Sequence, residues 1–156
     1  MRPFSLPGSV LVLALFTATL FAAEPTIFGV LDGALEPAAR LAPGSVFVLE
    51  GEYLANSTRL ATVPPLPSRL AGSRVLIEGV ECPLLMVSYS TIYAQVPFGT
   101  VSRNDDGTVR ITVKNPFGEA STSAVLGGSQ PVLLTQSRDG KGAAVMVDET
   151  LQPVYA

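Results

Sequence analysis

After residue 23, apolar and polar residues alternate along much of the chain, and this alternation predicts strands. In the segment 108–114 every second residue is apolar, so Ile111 would face a core while its neighbour Arg110 would face solvent. Similar patterns predict strands over Ser45–Leu49, Arg74–Glu78, Leu84–Ser88, Ile92–Val96, Ser121–Leu126, Val132–Thr135 and Ala143–Val147. Turns rich in glycine, proline, asparagine and aspartate separate them. About seven short strands without intervening helices predict an all-β, immunoglobulin-like sandwich.

The first 23 residues differ from the rest because they contain an apolar run without a charge. Arg2 is followed by Val10–Ala23, which holds 14 uncharged residues, and then by Glu24. An early cation, a short apolar run and small residues are typical of a secretory signal peptide, and the run is shorter than the ~20 residues of a membrane-spanning helix. We therefore expect a signal peptide over residues 1–23 and a sandwich over residues 24–128. Such a protein would be secreted, or held in the periplasm or at the cell surface.

The residue counts exclude several kinds of chemistry. With 13 acidic and 10 basic residues the formal charge is -3, which argues against nucleic acid as a partner. The absence of histidine excludes a Ser-His-Asp triad and imidazole metal ligands. A single cysteine excludes an internal disulfide and a thiolate zinc site. We expect no cofactor, no metal site, no catalytic residue and no membrane attachment after signal cleavage.

Two pairs of acidic residues are candidates for chemistry, and each has a simpler interpretation. Glu50 and Glu52 are two apart in or near a predicted strand, so their carboxylates would project from one face. Glycosidases need two carboxylates that face each other across the substrate, which parallel side chains do not provide. Asp105 and Asp106 would offer oxygen ligands to calcium, but adjacent acids do not converge on an ion. A solvated hairpin turn fits that pattern better.

Tyr89 and Tyr93 are the candidate ligand-binding residues, because both lie near the predicted strand Ile92–Val96. On an exposed face their rings would form a stacking platform for sugars, whereas packing in the core is the simpler interpretation. Cys82 is expected to be a small buried hydrophobic residue. The alternative for Cys82 is a reactive thiol or an intermolecular disulfide.

Four segments occur along the chain in an order that is typical of a known domain family. They are a glycine turn and strand over Ala42–Leu54, a hairpin over Val75–Pro83, a strand over Ser90–Pro97 and a closing hairpin that ends at Asn115–Gly118. Together they resemble an IPT/TIG domain, of the type found in an uncharacterised C-terminal domain family of secreted soil-bacterial proteins. The resemblance implies an immunoglobulin-like fold and a bacterial source, and it brings no catalytic residue. Members of that family continue further, so residues 129–156 are expected to begin a second, truncated β segment.

These observations favour a non-catalytic exported module with a structural or protein-interaction role. An exposed sheet edge would be its contact surface, because unpaired backbone groups there accept a partner strand. An extracellular carbohydrate-binding or adhesion module is the alternative, and a hydrolase that uses Glu50 and Glu52 is a further one. The expected partner is therefore a protein or a cell-surface glycan.

Overall fold

The computed structural model describes residues 23–35, 37, 38 and 40–129, together with two short strands nearer the C-terminus. Every regular element in this part of the chain is a strand. The strands are β1 (Thr26–Asp32), β2 (Val46–Glu52), β3 (Arg59–Leu60), β4 (Arg74–Ile77), β5 (Val80–Glu81), β6 (Leu84–Val87), β7 (Thr91–Gln95), β8 (Thr108–Asn115), β9 (Gly118–Val125), β10 (Met146–Val147) and β11 (Pro153–Val154). No helix in the described ranges is long and apolar enough to span a membrane.

Nine of these strands form two antiparallel sheets. One sheet has five strands in the order β1-β2-β7-β6-β3, and the other has four in the order β5-β4-β8-β9. The strands β10 and β11 pair with each other as a separate antiparallel hairpin. Two of the nine, β3 and β5, contain only 2 residues each, which leaves seven longer strands. The predicted all-β sandwich of about seven strands is confirmed.

The core lies between the two sheets. In most of the longer strands, every second residue faces inward and contributes to it. The five-stranded sheet contributes Phe47 and Leu49 from β2 and Ile92 and Ala94 from β7, while the four-stranded sheet contributes Val75, Ile77, Val109, Ile111 and Val113. All of these side chains are fully buried. Burial of a side chain such as Ile111 contributes roughly 1.5–3 kcal/mol, so this apolar layer is the main source of stability.

Predicted and observed strands agree where polar and apolar residues alternate. Six of the predicted strands coincide with β2, β4, β6, β7, β8 and β9, with ends displaced by a few residues. The strand β1 was not predicted, because Gly29 interrupts its apolar run, and the structure places a register shift between Ile27 and Gly29. The signal peptide prediction and the predicted strand Val132–Thr135 lie outside the described residues. Of Ala143–Val147, only the two residues of β10 are described.

The predicted turns lie where the sequence places them. The β4–β5 hairpin has a two-residue loop, Glu78-Gly79, between the paired residues Ile77 and Val80. Both loop residues have positive φ, 50° and 84°, which matches the right-handed twist of the flanking strands. The turn that precedes β8 is closed by a hydrogen bond of 3.1 Å from the Gly107 amide to the Asn104 carbonyl.

Candidate interaction site

The backbone of β9 presents unpaired hydrogen-bonding groups along one side. The Glu78 amide donates to the Arg110 carbonyl, so the even-numbered residues of β8 bond towards β4 and the odd-numbered ones towards β9. The Leu126 amide donates to the Gly107 carbonyl, which gives β9 the complementary pattern, with its even-numbered residues directed to β8. The amides and carbonyls of Glu119, Ser121 and Ser123 therefore point away from the sheet.

This free edge has defined ends. At the C-terminal end of β9, the Leu41 amide donates to the Val125 carbonyl at 2.7 Å, and the Gly127 amide donates to the Leu41 carbonyl at 2.6 Å. At the N-terminal end, the β8–β9 hairpin turns back at the pair Asn115 and Gly118. Within the described ranges, no strand is hydrogen-bonded to the outer side of the stretch 118–124, although β1 of the other sheet lies near it and Pro25 lies beside Gly118. The middle residue of this stretch is Ser121.

An open groove of about 790 Å³ lies beside this edge, on the outer face of the four-stranded sheet. Residues that line it include Glu78, Asn104, Arg110, Thr112, Ser121 and Ser123. Arg110 lies opposite Ser123, and Thr112 lies opposite Ser121 with their hydroxyl oxygens 3.0 Å apart. Because serine is small, the β9 side of the groove leaves the Arg110 side chain open to solvent.

Charges around the groove are only partly paired. The Lys114 ammonium lies 2.6 Å from the Glu119 carboxylate, and both are on the same outer face as the groove. The Glu78 carboxylate accepts the backbone N–H of Arg110. Among the described residues, the ion pairs of this face join Lys114 to Glu119 and Arg74 to Glu81, and neither includes the Arg110 guanidinium. Arg110 is thus available to an anionic group from outside.

The two tyrosines chosen from the sequence lie in different surroundings. Tyr89 is 46% exposed, and its ring meets that of Tyr53 edge-on at a centroid distance of 4.8 Å. The hydrogen bond with Tyr53 raises the pKa of the Tyr89 hydroxyl to about 12, with a smaller contribution from burial. Tyr93 is half-buried on the outer face of the five-stranded sheet, opposite Val48 and Met86. A sugar-binding role for either tyrosine remains a prediction.

Phe117 extends the aromatic contact around Tyr53. Its ring centroid is 6.4 Å from that of Tyr53, again edge-on. The side chain of Asn115 fixes this corner, since its amide nitrogen donates to the carbonyls of Tyr53 and Leu54 at 2.7 and 2.9 Å. Its oxygen accepts the Phe117 amide at 2.8 Å. The three rings therefore form a fixed corner of the sandwich, which Tyr93 does not join.

Glu50 and Glu52 lie apart from the groove, whereas Asp106 lies in the turn between two of its lining residues, Asn104 and Thr108. Glu50 and Glu52 are exposed on one face of β2, as predicted, and their positions opposite Thr91 and Thr26 put them on the outer face of the other sheet. Asp106 accepts the Thr108 amide at 2.8 Å, and this hydrogen bond lowers the pKa of its carboxyl. The residues that the structure describes contain no cluster of three or more potential metal-ligating side chains. The turn interpretation of Asp106 is confirmed.

Cys82 is fully buried in the core, which confirms the simpler interpretation of this residue. Burial raises the pKa of its thiol from 9.0 to about 12. The thiol is therefore protonated at neutral pH and shielded from solvent, so neither a reactive thiol nor an intermolecular disulfide fits its position.

Sequence reasoning missed the β9 edge and the groove. The alternation over Gly118–Val125 is between small residues, since alanine faces the core where other strands have valine or isoleucine. The signal that predicts its exposure is the lack of lysine, proline or bulges, which commonly protect edge strands. The lack of these protective residues indicates an exposed edge only when β9 is already known to be an edge strand.

Comparison with known proteins leaves the family open. No protein-family model matches the sequence. No curated protein matches it either. Similar solved structures include an auxiliary nutrient binding protein from Bacteroides ovatus (13% identity, TM-score 0.43) and another from Bacteroides thetaiotaomicron (18% identity, TM-score 0.39). A third, from Bacteroides thetaiotaomicron, is provisionally named a phosphatase (14% identity, TM-score 0.42).

The chain spans only a small part of these larger proteins. The matches cover 70%, 76% and 69% of this chain but 22% of each solved chain. Two of the names concern nutrient binding and one concerns an enzyme, so the names do not agree on one kind of activity. With TM-scores below 0.5, they assign no activity to this chain.

Proposed function

We propose that this protein is a non-catalytic, exported β-sandwich module of the IPT/TIG type that binds a partner strand along the free edge of β9. The observation that carries the proposal is the row of outward-facing amides and carbonyls at Glu119, Ser121 and Ser123. Natural proteins usually protect such edges with lysine, proline or a bulge. The strand β9 has 8 residues, contains neither lysine nor proline, and pairs with β8 without a register shift.

Three observations support a binding role without catalysis. The carboxylates of Glu50 and Glu52 lie on the outer face of the opposite sheet from the groove, and Asp106 is engaged in its own turn. Cys82 is buried and protonated. The groove holds hydroxyl groups, the Arg110 guanidinium and the Glu78 carboxylate, and this carboxylate accepts the Arg110 backbone N–H instead of activating a hydroxyl.

The proposal is tested by a substitution that removes one edge donor and leaves the fold intact. Proline at position 123 lacks the outward N–H, whereas the bonds from β9 to β8 come from its even-numbered residues. Labelled protein without residues 1–23 is applied to intact cells of the source organism. We expect saturable binding that Ser123→Pro weakens at least about tenfold.

Ser123→Ala is the matched control, because it removes the hydroxyl and keeps the backbone donor. Equal binding by wild type, Ser123→Pro and Ser123→Ala would exclude the β9 edge as the contact. Turnover of glycans, esters, peptides or phosphate monoesters by the purified protein would overturn the non-catalytic part of the proposal.

The groove supports a second candidate, an acidic glycan. The guanidinium of Arg110 would pair with a uronate carboxylate, while the exposed hydroxyls of Ser121 and Ser123 would bond to sugar hydroxyls. Titration with oligogalacturonate should shift the amide resonances of β8 and β9, and Arg110→Ala should abolish the shifts. Neutral oligosaccharides are the matched control. Equal shifts with charged and neutral sugars would exclude this recognition by Arg110.

A further inference from the structure

From the geometry of the free edge, we infer that its partner is a second copy of this chain, joined through antiparallel pairing of β9 with β9. This inference rests on the proposed function, because it names the occupant of the same edge. The free stretch 118–124 is centred on Ser121, whose amide and carbonyl point outward. A two-fold axis between two Ser121 residues therefore superimposes the two free stretches along their whole length.

The ends of the edge allow this register. Beyond Val125, the edge is occupied by the backbone of Leu41. In the register centred on Ser121, the residue opposite position 124 is Gly118 of the second copy, where its hairpin turns away. A shift by two residues in either direction would run one strand into the Leu41 backbone or leave outward groups unpaired. The centred register forms roughly six backbone hydrogen bonds between the copies.

Charge complementarity selects the same register. When Ser121 faces its own copy, Ser123 faces Glu119 of the second copy, and Arg110 lies on the other side of Ser123. Residues directly opposite one another project from the same face of a sheet. The strands of Arg110 and of the second Glu119 are then two strand spacings apart, roughly 10 Å, with only a serine between them. Each carboxylate would lie between its own Lys114 and the Arg110 of the other copy.

The serine and threonine hydroxyls on the outer face also fit the centred register. In the centred register, two Ser121 side chains face each other, and each already lies 3.0 Å from its own Thr112 hydroxyl. The two sheets would join into one sheet of eight strands, and the two grooves would lie side by side on the same face.

Sedimentation equilibrium on the purified protein, up to about 1 mM, tests the inference. We expect a monomer–dimer equilibrium in which Ser123→Pro weakens dimerisation about a hundredfold and Ser123→Ala leaves it nearly unchanged. Arg110→Glu should weaken it about tenfold or more, because it places two carboxylates together. Combining Arg110→Glu with Glu119→Arg should recover at least half of that loss on a logarithmic scale.

The outcomes separate this inference from the proposed function. A protein that stays monomeric while Ser123→Pro still abolishes cell binding would overturn self-pairing and keep the edge as a binding site for another protein. A dimer that tolerates both Ser123→Pro and Arg110→Glu would show a different interface and overturn the inference. Circular dichroism of each variant confirms that a lost dimer does not reflect a lost fold.

Discussion

At the scale of single residues, Gly51 shows how closely β1 approaches β2. A Cβ atom at this position would overlap the carbonyl oxygen of Thr26 and come within 3.1 Å of Leu54. Gly51 is paired with Ile27, immediately beside the register shift of β1. A backbone carbonyl cannot move aside as a flexible side chain can, so any larger residue must separate the two strands.

We expect Gly51→Ala to lower the free energy of unfolding by about 2–3 kcal/mol, measured by urea denaturation. Gly29 on β1 is the matched control, because a Cβ there would meet no atom within 4 Å. Gly29→Ala should change the free energy of unfolding by less than about 0.5 kcal/mol. If both substitutions are tolerated equally, the contact between Gly51 and Thr26 does not set the spacing of the strands.

The thiol of Cys82 makes stability depend on alkaline pH. Its pKa is 9.0 in an ordinary environment and about 12 in the folded protein, so above pH 9 the unfolded chain loses this proton first. The contribution of the neutral thiol is complete below pH 9 and is lost as the pH rises from 9 towards 12. Cys82→Ala removes this dependence, whereas Tyr89 titrates in both proteins.

The check is the free energy of unfolding at pH 8 and pH 10.5 for wild type and Cys82→Ala under a reducing agent. Wild type should lose more stability over this interval than the variant. Parallel losses would mean that the thiol is accessible to water in the folded state. Rapid reaction of the native thiol with a disulfide reagent at pH 8 would contradict the same assignment.

At the scale of elements, β8 shows what alternation can predict. Ile111 is fully buried and its neighbour Arg110 is exposed, as the period of two predicts. Thr112 is the exception, because it faces outward and is only 9% exposed. Its flanking strands cover it, with Leu76 on one side and Ser121 on the other. Alternation thus predicts the face of a residue, while burial on that face depends on the neighbouring strands.

Substitutions on the two faces of β8 should therefore have unequal effects. Ile111→Asp places an unpaired charge in the core and should cost about 4 kcal/mol or more, enough to unfold the domain. Arg110→Asp should change the free energy of unfolding by less than about 1 kcal/mol. Thermal unfolding followed by circular dichroism measures both. Similar stability of the two variants would mean that the faces of β8 are reversed.

The sequence predicted elements better than it predicted the site. A strictly alternating segment such as Thr108–Lys114 is enough by itself to predict a strand. The hairpin at Glu78-Gly79 follows from the turn preferences of its two loop residues. The β9 edge could not be predicted, because being an edge is a property of sheet order. That order depends on pairings such as β2 with β7, which lie far apart in the sequence. The groove requires Arg110 and Ser123 to be neighbours, which only strand register provides.

At the scale of the whole molecule, the two sheets form one unit with a shared core. Side chains from β2 and β7 pack against those from β4 and β8, so neither sheet covers its apolar face alone. The β9 edge and the groove lie on the outside of this unit and do not depend directly on the core residues. Substitutions such as Ser123→Pro can therefore separate binding from folding, which makes the proposed interaction accessible to experiment.

The bridge between Leu41 and Leu126 has a consequence for the order of folding. It is a parallel pairing in a sandwich whose strands are otherwise antiparallel, and it joins positions near the two ends of the domain. Contacts this distant in sequence close late, since the intervening loop entropy must be overcome first. The sandwich therefore cannot be completed until β9 has emerged from the ribosome. A nascent chain of this sequence therefore keeps part of its apolar core uncovered until the residues of β9 are available.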